Sequence, residues 1–341
     1  MMYTLTKWIL SLPDRLLLWM SGQPQITASG GRAMDPASQF LLLTSLKQQL
    51  LFIDESKTVP ELREWWKGQL APFDKPPLGG VSHRDMDVEV GDATIRVREY
   101  TPDGVGGAAP ALVYLHGGGF TTFEIETYQG FCEFVAAQLG AKIYSVEYRL
   151  APEHPYPIPL DDCRAAFEWV CGRAADFGLD PDRIAVGGDS AGGNLSAALC
   201  LKQRDTGGRM PTAQLLIYPT TDLDSDFPSM DEFAEGQIIT RRHIEWFHSN
   251  YVPDKARMKE PYASPLLAES HANLPPAVVC SAGFDPLRDE AEAYAEALTN
   301  AGVPTEYIEF DALGHGFIVT DAARAAREAN TRICAAFRAV M

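Results

Sequence analysis

A serine flanked by glycines is the first feature of this sequence that could do chemistry. Ser190 lies in the motif Gly-Asp-Ser-Ala-Gly at 188–192, directly after an apolar run at 183–186 and before a helix-compatible stretch. A sharp turn from strand to helix presents a serine hydroxyl above the edge of a sheet, where the helix N-terminus favours negative charge. The motif alone is a weak signal, and a glycine-rich loop at the end of a strand is the alternative interpretation.

A triple glycine at 117–119 follows His116 and a second apolar, strand-like run. Glycines let backbone amides approach a reacting carbonyl closely, as the oxyanion of an acyl-transfer reaction requires. The pattern predicts the amides of Gly117 and Gly118 as oxyanion donors, joined by the amide of Ala191. A phosphate-binding turn is the alternative, but no Lys-Ser/Thr follows the glycines and no G-x-G-x-x-G opens a helix.

A serine nucleophile also needs a base and an acid that orients it. His315 lies just past the last predicted strand, at the end of the strand where the sites of α/β proteins assemble. The other six histidines fit this position less well. Asp285 follows the preceding strand, in the chain order serine, acid, histidine. Asp289 is the rival acid, although an acid in the first turn of a helix is also explained by the helix dipole.

Hydrophobic periodicity predicts the elements that must position these residues. Two segments alternate like antiparallel strands, at 83–90 and 94–100. Six apolar runs predict further strands, at 111–115, 141–146, 183–186, 213–218, 277–280 and 305–310. Predicted helices lie between most of them, at 127–139, 160–177, 191–204, 287–301 and 321–339. Alternating strands and helices form right-handed βαβ units, so we expect an α/β fold with a mostly parallel eight-stranded sheet flanked by helices.

Two segments outside this alternation predict a helical cap. Helices are expected near 35–51 and 60–70, and an aromatic-rich stretch interrupts the core later in the chain. The expected division is a cap segment at 1–75, core at 76–221, a second cap segment at 222–275 and core at 276–341. Aromatic residues of the cap, which either line an entrance or pack cap on core, are Trp65, Trp66, Trp246, Phe247 and Tyr251. The substrate-binding candidates are Phe120, Phe123, Trp246, Phe247 and Phe317.

Composition narrows the classes of partner. The chain carries 46 acidic and 29 basic residues, a net charge of −17, which disfavours nucleic acid and anionic lipid. Its six cysteines form no C-x-x-C pair and most of them lie in apolar stretches, which predicts free thiols and a cytoplasmic location. The apolar stretch at 1–20 is interrupted at Pro13 and falls short of the roughly 20 residues needed to span a bilayer, so we expect no stable membrane insertion.

With these residues placed, the chain resembles the hormone-sensitive lipase family, also called bacterial esterase family IV. The shared motifs are His-Gly-Gly-Gly at 116–119, Tyr-Arg-Leu-Ala-Pro-Glu at 148–153, Gly-Asp-Ser-Ala-Gly-Gly-Asn at 188–194, Asp-Pro-Leu-Arg at 285–288 and His-Gly-Phe at 315–317. The resemblance implies an α/β-hydrolase core under a helical cap. It also implies that Asp189 forms a hydrogen bond with nearby backbone and stabilises the strand-to-helix turn at 188–192, which is called the elbow below. The chain departs from the family at Phe120 to Phe123, where a further glycine is common, and a ring there would narrow or redirect the substrate pocket.

The resemblance implies a serine carboxylesterase with a Ser-His-Asp triad and a backbone oxyanion hole. Its expected partner is a small-molecule ester with a short to medium acyl chain, and the aromatic residues of the cap add aryl esters to this expectation. It implies no metal and no cofactor, and it favours a homodimer. A non-catalytic ligand-binding protein is the first rival, but the chain retains Asp285 and His315. A long-chain lipase is the second rival, and a transacylase or amidase would use the same residues.

Overall fold

One eight-stranded sheet organises the chain. The computed structural model describes residues 2–47, 53–54, 56–70 and 75–341. The strands are β1 (Val81–Val90), β2 (Ala93–Pro102), β3 (Ala109–Leu115), β4 (Lys142–Glu147), β5 (Leu179–Asp189), β6 (Gln214–Ile217), β7 (Ala277–Phe284) and β8 (Thr305–Gly314). They lie side by side in the order β1-β2-β4-β3-β5-β6-β7-β8.

Helices precede the sheet and connect most of its strands. Within the described ranges they are α1 (Met2–Ile9), α2 (Asp14–Ser21), α3 (Pro36–Lys47), α4 (Val59–Leu70), α5 (Gln129–Leu139), α6 (Ile158–Gly172), α7 (Ala191–Thr206), α8 (Pro228–Glu232), α9 (Arg241–Tyr251), α10 (Arg288–Asn300) and α11 (Arg324–Val340). Asp35 caps α3, since its carboxylate accepts the amide hydrogen of Ser38 at 2.8 Å. The predicted end of this helix near residue 51 lies outside the described residues.

The strand directions agree with the sequence pattern. β1 and β2 are antiparallel, and so are β2 and β4, whereas every neighbouring pair from β4 to β8 is parallel. Parallel strands are covered by helices on both faces, which explains their continuous apolar runs. All eight residues of β7 are buried. The predicted α/β class and its mostly parallel eight-stranded sheet are confirmed.

Two apolar layers, one on each face of the sheet, form the core. Along β3 the side chains alternate between them, because successive residues of a strand point to opposite faces. Val113 and Leu115 belong to the layer that contains residues of α6, α7 and α10. Leu112 and Tyr114 belong to the layer that contains residues of α5 and α11. This frame fixes the carboxyl ends of β5, β7 and β8, after which the three predicted triad residues lie.

A cluster of aromatic residues joins the two groups of helices predicted as cap segments. Trp66 of α4 lies edge-on to Trp246 of α9, with ring centroids 6.1 Å apart, and 6.3 Å from the Phe247 ring. These rings form a small apolar cluster separate from the two main layers. The division into cap segments at 1–75 and 222–275 stays a prediction, with which this contact agrees.

The N-terminal segment that contains α1 and α2 has apolar side chains on both its buried and its exposed side. Leu10 and Leu17 are buried against the core, while Trp8 and Trp19 are exposed. No helix within the described ranges is long and apolar enough to cross a membrane.

All six cysteines are buried and unpaired, as the sequence predicts. Burial raises the pKa of Cys171 to about 11 and that of Cys334 to about 12, because desolvation disfavours the thiolate. Since the thiolate is the reactive form, these thiols are chemically inert at neutral pH.

Candidate active site

Ser190 occupies a tight turn between β5 and α7. Its backbone has φ 54° and ψ −119°, a conformation that is strained for any residue with a side chain. A Cβ on Gly188 or Gly192 would overlap the carbonyl oxygen of Leu115. Glycines on both sides of the serine are therefore a steric requirement of this turn, and the predicted strand-to-helix context is observed.

His315 lies in the loop after β8, with its ring against the serine. The Nε2 atom of His315 is 3.1 Å from the Oγ atom of Ser190, which is hydrogen-bond distance. The ring packs on Tyr218, with centroids 4.5 Å apart. The structure thus brings together two residues that are 125 positions apart in the chain.

Asp285 lies behind the histidine and is fully buried. Its Oδ2 atom is 2.7 Å from His315 Nδ1, and its Oδ1 atom accepts the amide hydrogen of Leu287 at 2.9 Å. A carboxylate can only accept, so Nδ1 carries the proton and Nε2 presents its lone pair to Ser190. This is the tautomer that a general base needs.

Asp289, the rival acid, is held elsewhere. Its Oδ2 atom accepts the amide hydrogen of Ser229 at 2.8 Å, and its Oδ1 atom accepts from Arg288 Nε at 2.8 Å. Asp289 therefore anchors α8 to the start of α10. The structure brings Asp285, and not Asp289, to His315.

The glycine loop differs from the prediction at Gly117. The amide of Gly117 donates to Asp189 Oδ1 at 2.9 Å, so it is directed at a carboxylate and is not free for an oxyanion. No hydrogen bond recorded among the described residues uses the amide of Gly118, Gly119 or Ala191. The sequence analysis did not select Gly119, because the glycines of the motif look alike until the partner of the Gly117 amide is known.

Asp189 connects the elbow to this loop. Besides the Gly117 amide, its carboxylate accepts from the hydroxyls of Tyr114 at 2.7 Å and Tyr128 at 2.9 Å. Complete burial raises the pKa of Asp189, while the three hydrogen bonds and the nearby His315 ring oppose that shift. A bond to nearby backbone that holds the elbow is the role that the resemblance implies for this residue.

His116, the residue before the glycine loop, packs inside the protein and stabilises the start of that loop. It is fully buried, which lowers the pKa of its imidazole to about 4 and leaves it neutral at physiological pH. Its ring stacks on Tyr148, with centroids 4.4 Å apart, and the Tyr148 hydroxyl donates to the His116 carbonyl oxygen at 2.7 Å. The second family motif, which begins at Tyr148, thereby fixes the start of the glycine loop.

A cavity of about 500 Å³ opens above Ser190 and His315. Of the five aromatic residues predicted to bind substrate, four line it: Phe120, Phe123, Phe247 and Phe317. Trp246 lies outside this lining and packs on Trp66.

Phe120 and Phe247 shape one side of the cavity. The Phe120 ring is fully buried and stacks on Tyr251, with centroids 3.7 Å apart, so it belongs to the floor of the cavity. Phe247 covers Gly119 so closely that a Cβ on this glycine would overlap its ring. Helix α9 therefore lies directly on the glycine loop.

The cavity has further lining residues that the sequence analysis did not select. Some of them come from the segment that contains α3, from α9 and from the segment after β6: Met34, Leu41, Leu42, Tyr218, Thr220, Ile244 and His248. Hydrophobic periodicity identifies such residues as core, and it cannot tell which of them face an internal cavity.

One group of carboxylates in the described ranges has metal-ligand spacing, formed by Glu124, Glu126 and Glu147. Arg96 bonds Glu147 at 2.6 Å and Glu126 at 2.8 Å, while Lys67 pairs with Glu124. All three carboxylates therefore pair with basic side chains, and the group is an ion-pair network on the surface.

Comparison with known proteins places this chain in a family. The family described as having the alpha/beta hydrolase fold matches residues 112–319, which contain all three triad candidates. The chain belongs to the α/β-hydrolase fold family. The prediction of the hormone-sensitive lipase type of this fold is confirmed, and so is the enzyme class, a carboxylic ester hydrolase.

Relatives cover most of this α/β-hydrolase. It is 38% identical over 323 residues to the carboxylic ester hydrolase LipN of Mycobacterium tuberculosis, covering 91% of this chain and 85% of LipN. It is 36% identical over 246 residues to an arylesterase of Saccharolobus solfataricus, covering 72% of this chain and 79% of that one. An ester hydrolase from the Lake Arreo metagenome has a similar structure, with TM-score 0.85, 37% identity and 90% and 98% of the two chains covered.

Proposed function

We propose that this α/β-hydrolase is a serine carboxylesterase in which Ser190 is the nucleophile, His315 the base and Asp285 the orienting acid. The single observation that carries the proposal is the unbroken chain of contacts from Asp285 through His315 to Ser190, at 2.7 and 3.1 Å. Such a chain activates a hydroxyl that is otherwise a poor nucleophile.

In the acylation step, His315 Nε2 takes the proton of Ser190 while Oγ attacks the ester carbonyl. Asp285 keeps Nδ1 protonated and stabilises the imidazolium that forms. The histidine then gives the proton to the departing alcohol. Water activated by the same imidazole hydrolyses the acyl-enzyme and regenerates the serine.

The oxyanion hole consists, in this proposal, of the amides of Gly118, Gly119 and Ala191. Gly117 is left out because its amide already donates to Asp189. The loop of Gly118 and Gly119 has φ angles of 113° and 58°, which residues with side chains rarely adopt. Amides held in this way stabilise the oxyanion without reorganising during the reaction.

The substrates are esters with short to medium acyl chains, aryl esters included. A cavity of about 500 Å³, lined mainly by apolar and aromatic side chains, is of the size that small ligands occupy. The arylesterase of Saccharolobus solfataricus and an ethyl acetate hydrolase of Pseudomonas putida, the latter 35% identical over 230 residues, support this class.

Three further parts of the proposal concern organisation. The segments 1–75 and 222–275 act as the cap, because Trp66 and Phe247 meet above the glycine loop. The protein is a homodimer, which light scattering of the purified chain tests. It works in the cytoplasm, which six free thiols favour.

Replacement of the nucleophile tests the proposal. Ser190→Ala is expected to lower kcat for p-nitrophenyl butyrate by at least about 10³-fold and to abolish labelling by a fluorophosphonate. Ser249→Ala, which changes an exposed serine on α9, is the matched control and keeps both activity and labelling. Near-native turnover by Ser190→Ala would sink the proposal.

The rivals predict different results in the same assays. Wild-type protein that neither turns over esters nor reacts with the fluorophosphonate is a ligand-binding protein. A preference for emulsified long-chain triglyceride over soluble short esters identifies a lipase. Faster acyl transfer to an added alcohol than to water identifies a transacylase.

A further inference from the structure

His248 of α9 is a buried titratable residue that the proposed reaction does not use. Its Nδ1 atom lies 3.0 Å from the carbonyl oxygen of Leu223. A carbonyl can only accept, so Nδ1 carries the proton and Nε2 is an acceptor. Burial lowers the pKa of His248 to about 4, so the ring is neutral at physiological pH.

The lone pair of His248 is directed toward Thr220. The two polar atoms, His248 Nε2 and Thr220 Oγ1, are 3.5 Å apart, the outer limit for a hydrogen bond. Both residues line the cavity above Ser190. The Thr220 amide also lies 3.4 Å from the Ser190 carbonyl oxygen, so this polar pair is close to the nucleophile.

The wall around this pair is apolar. Ile239, Ile244 and Leu287 line the same side of the cavity and belong to one buried cluster. Polar atoms in such a wall are costly unless they have hydrogen-bond partners. The contact between His248 and Thr220 is at the outer limit of hydrogen-bond distance, and a purely apolar acyl or alcohol group would not give either atom a better partner.

A third polar residue, Glu290, contacts the segment that contains Thr220. Glu290 is fully buried and accepts from the Thr221 amide at 3.0 Å and the Ser225 hydroxyl at 2.9 Å. It also interacts with the Thr220 side chain. Burial raises the pKa of Glu290 to about 8, while the hydrogen bonds from Ser225, Thr220 and Thr221 oppose that rise.

We propose that His248 and Thr220 form a subsite for a hydroxyl group of the substrate, so that hydroxy-substituted carboxylic esters are preferred over their plain analogues. This inference rests on the proposed esterase function. A hydroxyl oxygen about 2.8 Å from each atom fits between two atoms 3.5 Å apart. It donates to His248 Nε2 and accepts from Thr220 Oγ1.

A preference for hydroxylated esters is expected because polar and apolar pockets differ in how strongly they discriminate between a substrate and its analogue. An apolar pocket distinguishes poorly between a substrate and its hydroxylated analogue, whereas a pocket with hydrogen-bonding groups rejects the analogue that lacks the hydroxyl. The cost arises because buried polar atoms are left without partners.

Matched ester pairs test the subsite on both sides of the ester bond. One pair is p-nitrophenyl butyrate and p-nitrophenyl 3-hydroxybutyrate, and the other is butyl acetate and 4-hydroxybutyl acetate. We expect kcat/KM of the wild type to be higher for the hydroxylated member of at least one pair. The measured ratio is kcat/KM for the hydroxylated ester divided by kcat/KM for its plain analogue. His248→Phe is expected to lower this ratio about tenfold, which corresponds to the loss of one hydrogen bond.

Further variants separate recognition from packing. Thr220→Val keeps the shape and is expected to lower the ratio as His248→Phe does, while His248→Gln, which retains an acceptor, restores part of it. Ser249→Ala, at an exposed position of the same helix outside the cavity, is the control and leaves the ratio at the wild-type value. A wild-type enzyme that hydrolyses both plain esters but prefers neither hydroxylated one, or a ratio that both substitutions leave unchanged, overturns the subsite while the esterase function stands.

Discussion

The carboxylate of Asp189 accepts the amide hydrogen of Gly117 at 2.9 Å, across 72 positions of the chain. This bond joins the residue before Ser190 to the first glycine of the loop at 117–119. Two tyrosine hydroxyls also donate to the carboxylate, which is 3% exposed. These bonds hold the turn at Ser190 and the glycine loop together, and the distance from Ser190 to the proposed oxyanion donors depends on them.

Replacing Asp189 should loosen that spacing. Asp189→Ala leaves the Gly117 amide and two buried hydroxyls without an acceptor, which costs about 1–3 kcal/mol for each group. We expect a lower free energy of unfolding in urea and a kcat reduced by about tenfold or more. Asp189→Asn retains an acceptor for Gly117 and should lose less of both. Equal losses for Asn and Ala would mean that this bond does not position the loop.

The orienting acid can be tested without removing the base. In Asp285→Asn the amide group can donate to Nδ1 of His315, which then presents a protonated Nε2 to Ser190. We expect kcat to fall by about 10⁴-fold, while urea denaturation shows a folded protein. Asp289→Asn is the matched control, since Asp289 bonds α8 and should leave kcat close to wild type. A larger loss from Asp289→Asn than from Asp285→Asn would reverse the assignment.

Gly119 tests the revised oxyanion hole. Gly119→Ala puts a Cβ into the Phe247 ring and requires a residue with a side chain to keep φ near 58°. We expect kcat/KM to fall about 100-fold, as for the loss of one oxyanion donor. Adding Phe247→Ala removes the overlap but not the backbone strain, so the double variant should recover only part of the activity. Wild-type activity of Gly119→Ala alone would argue against a closely packed loop.

Glu290 predicts a dependence of stability on pH. Its pKa in the folded protein is about 8, against 4.5 for an ordinary glutamate, so unfolding releases a proton between these values. The free energy of unfolding contributed by this group therefore falls as the pH rises from about 4.5 to about 8. Glu290→Gln does not titrate, so its stability relative to the wild type should increase between pH 5 and pH 8.

Urea titrations of both proteins at pH 5, 6, 7 and 8 measure this difference, which we expect to reach a few kcal/mol. Glu296→Gln, an exposed position on the same helix, is the control and should change stability equally at each pH. A difference between Glu290→Gln and the wild type that does not vary with pH would show that Glu290 titrates normally in the folded state.

The fold was predictable because its signals are local. The apolar runs at 111–115 and 277–280 are strands buried on both faces, and their composition follows from that burial. The glycines beside Ser190 were predictable for a similar reason, since the turn excludes any side chain at 188 and 192. Asp285 and His315 were found from their order and their position after strands, without knowledge of any distance.

Other features required the tertiary structure. The sequence favoured Asp285 over its rival Asp289, and the structure adds the contacts: Asp285 bonds His315, whereas Asp289 bonds Ser229 of α8. Phe120 and Trp246 were both predicted to bind substrate, yet Phe120 forms a fully buried floor and Trp246 lies outside the lining. Aromatic content predicts burial, whereas facing a cavity depends on neighbours that are distant in the chain.

Local sequence thus determined the kind of chemistry, because a nucleophile elbow and a glycine loop are each made by a few consecutive residues with strict steric requirements. The tertiary structure decided which amides are available, since the partner of Gly117 is a carboxylate from another strand. It also decided the position of His248 beside Thr220, because the two lie 28 positions apart and meet only when α9 packs over the sheet. An amide hydrogen that is bonded to one acceptor is not available to a second one. No local sequence pattern shows which backbone amides already have an acceptor elsewhere in the protein.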